Sequence, residues 1–205
     1  MLSHDNHIMQ SCQRNYKVNM YKYLMSILFA FLIMSFTNNP WDEAASNYVD
    51  TYKDLAIVEM HRSGIPASIT LAQALHESQT GVSELAIHAK NHFGIKCKSD
   101  WVGKKYKHED DDFDKNGNLI ESCFRSYDSV VDSYIDHTNF LSQSAHYSEL
   151  FDYDKTDYFM WAHSLKKCGY ATDPNYANKL IKKIEKYKLY VFDKYSNPLE
   201  ANKQD

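Results

Sequence analysis

Residues 64–81 read GIPASITLAQALHESQTG and predict one well-defined helix. Pro66 suits the first turn of that helix, because the N–H group that proline lacks needs no partner there. The apolar residues that follow recur at helical spacing and indicate a helix packed on one side: Ile69, Leu71, Ala72 and Leu75. With glycines at both ends of the segment, the helix is expected over Ala67–Glu77, and Glu77 then lies where the chain leaves it.

The flanking sequence predicts a mainly α fold with a small antiparallel β-lobe. Helical spacing runs from Tyr48 to Met60, and Ser83 caps a short helix reaching Lys90. Asn116-Gly117 separates two extended stretches, Trp101–Tyr106 and Leu119–Phe124, which is a strong hairpin signal. Three further helices are expected, over 126–143, over 156–167 before Gly169, and from Asp173-Pro174 to about Tyr187.

Composition favours one domain, expected over residues 46–190 and followed by a polar tail over 191–205. The 205 residues are 43% hydrophobic, with 16 Tyr, 10 Phe, 6 Gly and 4 Pro, which is typical of a compact helical domain. The net charge of -4 argues against nucleic acid as a partner. Lysines between Lys179 and Lys188 alternate with apolar residues, so we interpret them as the solvated face of a terminal helix.

The N-terminal residues 1–45 carry a targeting signal. Leu24–Phe36 is almost wholly apolar, follows several basic residues, and is shorter than the roughly 20 residues that span a bilayer. This pattern predicts a secretory signal peptide and export to the periplasm or cell envelope. Because no clean A-x-A site follows, an uncleaved N-terminal membrane anchor is the alternative. Cys97 and Cys123 flank the β-lobe. In an oxidising compartment a disulfide between them is expected, and two buried free thiols are the alternative.

Glu77 is the first candidate for chemistry. A carboxyl group at the end of an apolar helix is shielded on one side and open to a groove on the other. Partial burial raises the pKa of a glutamate, and a protonated Glu near neutral pH is what a glycosidase uses to protonate a leaving oxygen. An exposed Glu at a helix end is the alternative. A zinc-peptidase motif is excluded, because His76-Glu77 would need a second His where Thr80 stands.

The acidic run His108–Asp114 offers a second carboxylate. One of Asp110, Asp111 and Asp112 would lie across a cleft from Glu77, as paired carboxylates do in glycosidases. A solvated hairpin edge is the alternative. A calcium loop is disfavoured, because its twelfth position is Cys123 where a bidentate Glu is needed.

Aromatic residues form the third candidate group. Their rings either stack on sugars or fill the core, and local sequence does not separate the two. The group comprises Phe93, Trp101, Tyr106, Tyr158, Trp161, Tyr170 and Tyr176. Among them, Phe93 and Tyr176 are expected to contact substrate, together with Asp110 and Asp111 of the acidic run.

Four blocks in order carry a family resemblance. They are residues 64–81, Asn91–Cys97 (NHFGIKC), Cys123–Tyr127 (CFRSY) and Gly169–Leu180 (GYATDPNYANKL). Together they resemble the bacterial N-acetylglucosaminidases of glycoside hydrolase family 73, over roughly residues 50 to 188. The resemblance implies a lysozyme-like helical body with a β-lobe across a groove. It also implies hydrolysis of peptidoglycan glycan strands between N-acetylglucosamine and N-acetylmuramic acid.

The resemblance also assigns roles to residues. Glu77 matches the catalytic acid, Tyr170 matches a tyrosine near the scissile bond, and Asn91 and Phe93 match positions that line the groove. Many members carry a Glu in the β-lobe where this chain has Asp112, so Asp112, one of its neighbours, or the substrate's own acetamido group would assist. We expect a monomer that needs no metal or other cofactor. A lytic transglycosylase of the same fold and a non-catalytic glycan-binding module are the competing functions.

Overall fold

The computed structural model describes residues 39–99, 101–113 and 115–201 together with Lys22 and Met25, giving backbone alone for residues 111–113 and 201. The predicted leader core, Leu24–Phe36, lies outside the described residues apart from Met25. The chain divides into two units, Met1–Glu43 and Ala44–Asp205. Within the described ranges, every helix is too short or too polar to cross a bilayer.

Helices dominate the chain, and the predicted mainly α class with a small antiparallel sheet is confirmed. Before the sheet come α1 (Pro40–Ser63), α2 (Ala67–Glu77) and α3 (Glu84–His88). The sheet pairs β1 (Lys105–Phe113) with β2 (Leu119–Arg125). After it come α4 (Val130–Ser142), a first 3₁₀ helix (Ala145–Asp152), α5 (Tyr158–Lys167), α6 (Tyr176–Lys186), a second 3₁₀ helix (Leu189–Lys194) and α7 (Pro198–Ala201).

Helix α2 is the centre of the core. All nine residues from Ala67 to Leu75 are buried, so the helix is covered on every side and not on one side alone. Small and apolar side chains around its whole circumference allow this, since a helix that is apolar all round belongs inside a fold. Helices α5 and α6 and the second 3₁₀ helix pack around α2.

The second 3₁₀ helix holds the beginning of α2. Its Asp193 is buried and accepts a hydrogen bond of 2.8 Å from the Ser68 backbone N–H group, which lies in the first turn of α2 and has no partner within that helix. Residues 191–194 of the segment expected as a polar tail are therefore part of the folded body.

The β-lobe differs from the prediction in its first strand. The expected strand Trp101–Tyr106 is wrong: β1 begins at Lys105 and runs through the acidic residues to Phe113. Polar residues form this strand because it pairs with β2, so apolar alternation is not needed. Phe113 pairs with Leu119, and Asn116-Gly117 therefore lies in a five-residue connection, with Gly117 at a φ of +82°.

Two helix starts also differ. Helix α4 begins at Val130 and not at 126, because Ser129 and Asp132 form a capping box there. Helix α6 begins at Tyr176, since the Asp173 carboxylate accepts from the Asn175 backbone N–H group in the turn before it.

A disulfide fixes the base of the lobe. Cys97 and Cys123 are bonded, and the Cys97 backbone N–H group donates to the Cys123 carbonyl at 2.7 Å. On the same side, the Arg125 backbone N–H group donates to the Ile95 carbonyl at 2.9 Å. The chain from Ile95 to Cys97 therefore borders β2 and joins the lobe to the body.

Gly81 generates a stability prediction. Its φ is +84°, and a Cβ atom there would lie 3.1 Å from two carbons of the Tyr48 ring. We expect Gly81→Ala to lower the free energy of unfolding by about 2 kcal/mol, from backbone strain and crowding together. Urea-induced unfolding measures the loss.

Gly117→Ala is the matched control. Gly117 has nearly the same φ, +82°, but nothing within 4 Å of the added Cβ atom. Strain alone should cost about 1 kcal/mol there. Equal losses in the two variants would contradict the crowding against Tyr48.

Candidate active site

Glu77 is the last residue of α2, and the turn after it is tightly built. The Thr80 backbone N–H group donates to the Leu75 carbonyl at 3.1 Å, and the Ser78 hydroxyl donates to the Ala74 carbonyl at 2.6 Å. Gln79 and Thr80 take the left-handed conformation that usually falls to glycine, with φ of 50° and 65°. The chain thus turns away directly after Glu77, leaving its side chain half-buried beside a cleft.

The cleft has a volume of about 270 Å³ and a mixed apolar and basic lining. Glu77 and Tyr170 stand on one side, and the segment from Phe93 to Lys96 lies in the wall. The remaining lining residues are Lys98, Phe140, Tyr147 and Ala171. A half-buried carboxyl group therefore opens into a space of sugar size, as the sequence predicts.

Burial sets the protonation of Glu77. Loss of water raises the pKa of this carboxyl group from 4.5 to about 7, because the charged form loses hydration. The Tyr176 hydroxyl group donates to Glu77 Oε1 at 2.9 Å and acts in the opposite direction by stabilising the carboxylate. Near neutral pH about half of the molecules hold the proton, so Glu77 is able to give it up to a bound ligand.

Tyr176 lies behind the acid and away from the cleft. It is only 1% exposed, and its ring contacts the core. Its hydroxyl oxygen accepts a hydrogen bond from Gln73 Nε2 at 3.1 Å. The same hydroxyl group donates its own hydrogen bond to Glu77. Tyr176 was expected to contact substrate; the geometry instead makes it the residue that positions Glu77. Gln73 was not predicted, although its place one helical turn before Glu77 puts the two on one face.

Tyr170 lines the cleft beside the acid. Its ring stacks on the ring of Tyr176 with centroids 5.7 Å apart and an angle of 25°. Burial, and next the charge of Glu77, raise the pKa of the Tyr170 hydroxyl well above its usual range. Tyr170 therefore remains a neutral hydrogen-bonding group at physiological pH.

Phe93 lines the cleft and rests on an unpredicted histidine. Its ring is parallel to that of His137, at 3.9 Å and 10°. Burial lowers the pKa of His137 to about 3, so the ring is neutral. Nothing in the sequence of α4 distinguishes His137 from other residues facing the core.

Asn91 shapes the cleft without facing it. The side chain is 1% exposed, and its amide group donates to the Ile95 and Arg125 carbonyls at 3.0 and 2.9 Å. Its Oδ1 atom accepts from the Phe93 and Ile95 backbone N–H groups. Asn91 was expected to bind substrate; here its hydrogen bonds hold the Phe93–Ile95 turn that forms the wall.

The acidic run meets the cleft at one described side chain. Asp110 Oδ2 lies 2.9 Å from Nζ of Lys96, a residue that lines the cleft. Asp111 and Asp112 belong to β1, but their side chains lie outside the described part of the structure. The second carboxylate therefore stays a prediction.

Two other features of the surface bear on the site. A larger cavity of about 380 Å³ contacts Tyr52, His92 and Thr80 but not Glu77, so size alone does not locate the chemistry. Across the described ranges, no three His, Cys, Asp or Glu side chains gather closely enough to hold a metal ion.

Comparisons with known proteins agree with this fold. The chain is 31% identical over 159 residues to the exo-glucosaminidase LytG of Bacillus subtilis, covering 75% of this chain and 55% of that protein. It is 29% identical over 156 residues to the peptidoglycan hydrolase FlgJ of Vibrio cholerae, covering 72% of this chain and 46% of that protein. It thus spans about half the length of both relatives.

The solved structures extend the likeness to three dimensions. A peptidoglycan hydrolase from Sphingomonas sp. A1 superposes with a TM-score of 0.61 at 27% identity, covering 78% of this chain and 96% of that one. The expected lysozyme-like fold is thereby confirmed. Residues 53–189 match the glucosaminidase family, described as mannosyl-glycoprotein endo-beta-N-acetylglucosaminidase, and the chain belongs to that family.

Proposed function

We propose that this chain hydrolyses the glycan strands of peptidoglycan between N-acetylglucosamine and N-acetylmuramic acid, with Glu77 as the general acid. The observation that carries the proposal is the half-buried Glu77 carboxyl group, with a pKa of about 7, opening into the cleft. Family membership and the two relatives named above support the same substrate. Outside the cytoplasm, where peptidoglycan lies, the Cys97–Cys123 disulfide would persist.

Cleavage begins with proton transfer from Glu77 to the glycosidic oxygen. The bond to the leaving sugar breaks as the oxygen takes the proton, and positive charge develops on the other sugar ring. Water then adds to that ring and loses a proton to a carboxylate, either Glu77 itself or a second group across the cleft, which completes the hydrolysis. The Tyr176 hydrogen bond favours the carboxylate that Glu77 becomes, so the acid is stabilised in the product state of the first step.

The opposite face of the sugar needs a second group. Asp112 in β1, its neighbour Asp111, or the acetamido oxygen of the substrate would stabilise the positive charge and orient the water. Tyr170, which stays neutral beside Glu77, would orient the sugar through its hydroxyl group. We propose that the enzyme acts as an exported monomer, directed by the leader in residues 1–45.

Replacing the acid tests the assignment directly. We expect Glu77→Gln to abolish lysis of peptidoglycan in a gel overlay, because the amide has no proton to donate, while circular dichroism stays that of the wild type. Asp50→Asn, which makes the same change at an exposed carboxylate on α1, should lyse normally. Lysis that survives in Glu77→Gln would refute the proposal. Mass spectrometry of wild-type products then separates hydrolysis from transglycosylation, since only the latter leaves an anhydro-muramic end.

The pH dependence follows from the Tyr176 hydrogen bond. Activity should fall as pH rises through about 7, where Glu77 loses its proton. In Tyr176→Phe the bond that lowers the pKa of Glu77 is absent, so the alkaline limb of kcat/KM should move to higher pH. Tyr170→Phe removes a neighbouring hydroxyl group that makes no such bond to Glu77, and its alkaline limb should stay in place. A limb that moves equally in both variants, or in neither, would contradict this account.

Stability should depend on pH through the same carboxyl group. The pKa of Glu77 is about 7 when folded and near 4.5 when unfolded, so only the folded chain keeps the proton between these values. Wild-type stability therefore loses up to about 3 kcal/mol as pH rises from 4.5 through 7. Glu77→Gln cannot lose a proton at this position. The free energy of unfolding of the variant minus that of the wild type should therefore be larger at pH 8 than at pH 4 by up to about 3 kcal/mol. Parallel urea unfolding curves at the two pH values measure it, and a constant difference would contradict the raised pKa.

A further inference from the structure

Four lysines form a stripe on the exposed face of α6. Lys179, Lys182, Lys183 and Lys186 follow the spacing i, i+3, i+4 and i+7, which puts all four on one side of the helix. The opposite side is apolar and packs on the core through residues that include Leu180 and Ile184. Like charges at this spacing destabilise a helix, so the stripe opposes folding.

This stripe is one wall of a groove. The groove has a volume of about 280 Å³ and is closed by His76 of α2 and by Tyr187. The lysines lie on an exposed helix face, as the sequence predicts, and together with His76 and Tyr187 they line one concave space. We call it the lysine groove.

The charge in the lysine groove is only partly neutralised. Lys179 Nζ lies 2.6 Å from Asp173 Oδ2. Neither Lys182 nor Lys183 makes an ion pair with any carboxylate in the described ranges. Burial, followed by the charges of Lys186 and Lys179, lowers the pKa of Lys183. An anion in the groove would relieve that repulsion.

The lysine groove borders the end of α2 that carries Glu77. The His76 ring lies 5.7 Å from the ring of Tyr176, whose hydroxyl group holds Glu77. His76 and Glu77 are consecutive residues at the end of α2, so the groove and the cleft flank the same helix end. A peptide of four or five residues reaches roughly 13–18 Å when extended. That length exceeds the diameter of a helix with its side chains, about 10–12 Å, so such a peptide is long enough to pass around a helix end.

We propose that the lysine groove binds the carboxylates of the short peptides that peptidoglycan carries on its N-acetylmuramic acid residues. This inference rests on the proposed function, which brings such a residue next to Glu77. The peptide is acidic, covalently attached to the sugar in the cleft, and therefore present at high local concentration. The lysine groove makes the enzyme prefer glycan strands that still carry their peptides.

Binding measurements test the preference without relying on catalysis. The Glu77→Gln protein is titrated in a calorimeter with a purified peptidoglycan disaccharide-tetrapeptide and with the same disaccharide lacking the peptide. We expect the tetrapeptide form to bind at least about fivefold more tightly at low salt, and less so at high salt, where surface charges are screened. In the same background, Lys182→Gln/Lys186→Gln should bring the ratio of the two affinities close to one.

Lys155→Gln/Lys194→Gln is the matched control, because it removes the same two positive charges from exposed sites outside the groove. This control should keep the preference. A ratio near one in the parent protein, or a loss of the ratio in both double variants, would overturn the inference. A third titrant, polyglycerol phosphate, distinguishes the source of the anion: binding as tight as that of the tetrapeptide form would overturn the assignment to peptide carboxylates. Failure of the proposed function would instead appear as wild-type protein that binds these ligands but lyses no peptidoglycan.

Discussion

The chemistry of the candidate active site depends on the partial dehydration of one carboxyl group. Burial raises the pKa of Glu77, and the hydrogen bond from Tyr176 lowers it, so that the net pKa is about 7. Either influence alone would leave the group less useful as an acid near neutral pH, because burial without the bond favours the protonated form and solvation favours the charged one. Since Tyr176 is itself buried and bonded to Gln73, the balance is set by the packed core and not by mobile surface groups.

That balance requires α2 to be rigid at both ends. At its beginning, Asp193 accepts from the Ser68 backbone N–H group even though burial raises the pKa of this aspartate to about 6. At its end, the Ser78 hydroxyl donates to Ala74 and accepts from the Gly81 backbone N–H group at 2.7 Å. Between these points every residue from Ala67 to Leu75 is buried. The acid therefore projects from a helix that is fixed by packing and by polar contacts at each terminus.

The sequence predicts the helix Ala67–Glu77 well, and it singles out Glu77 as a candidate, because the evidence for both is local. Pro66, the apolar spacing and Glu77 lie within one short segment. Roles that depend on contacts between distant segments were harder to predict. Asn91 and Tyr176 both lie in the blocks that carry the family resemblance, yet both side chains are buried and bond within the protein. Strand β1 was misplaced because its pairing with β2, and not its own composition, makes it a strand.

The two sides of the cleft are built differently. The acid side belongs to the helical body. The other side continues into the β-lobe, whose base is fixed where the Arg125 guanidinium donates to both carboxylate oxygens of Asp136 at 2.9 Å, and where Cys123 is bonded to Cys97. Beyond Glu109, β1 runs two residues longer than its partner before pairing resumes at Phe113. The acidic run lies in this irregular part of the strand, and the ion pair of Asp110 with Lys96 ties it back to the cleft wall. The backbone that carries the candidate second carboxylates therefore lies in an irregularly paired part of β1, whereas Glu77 ends a helix that is held by the core.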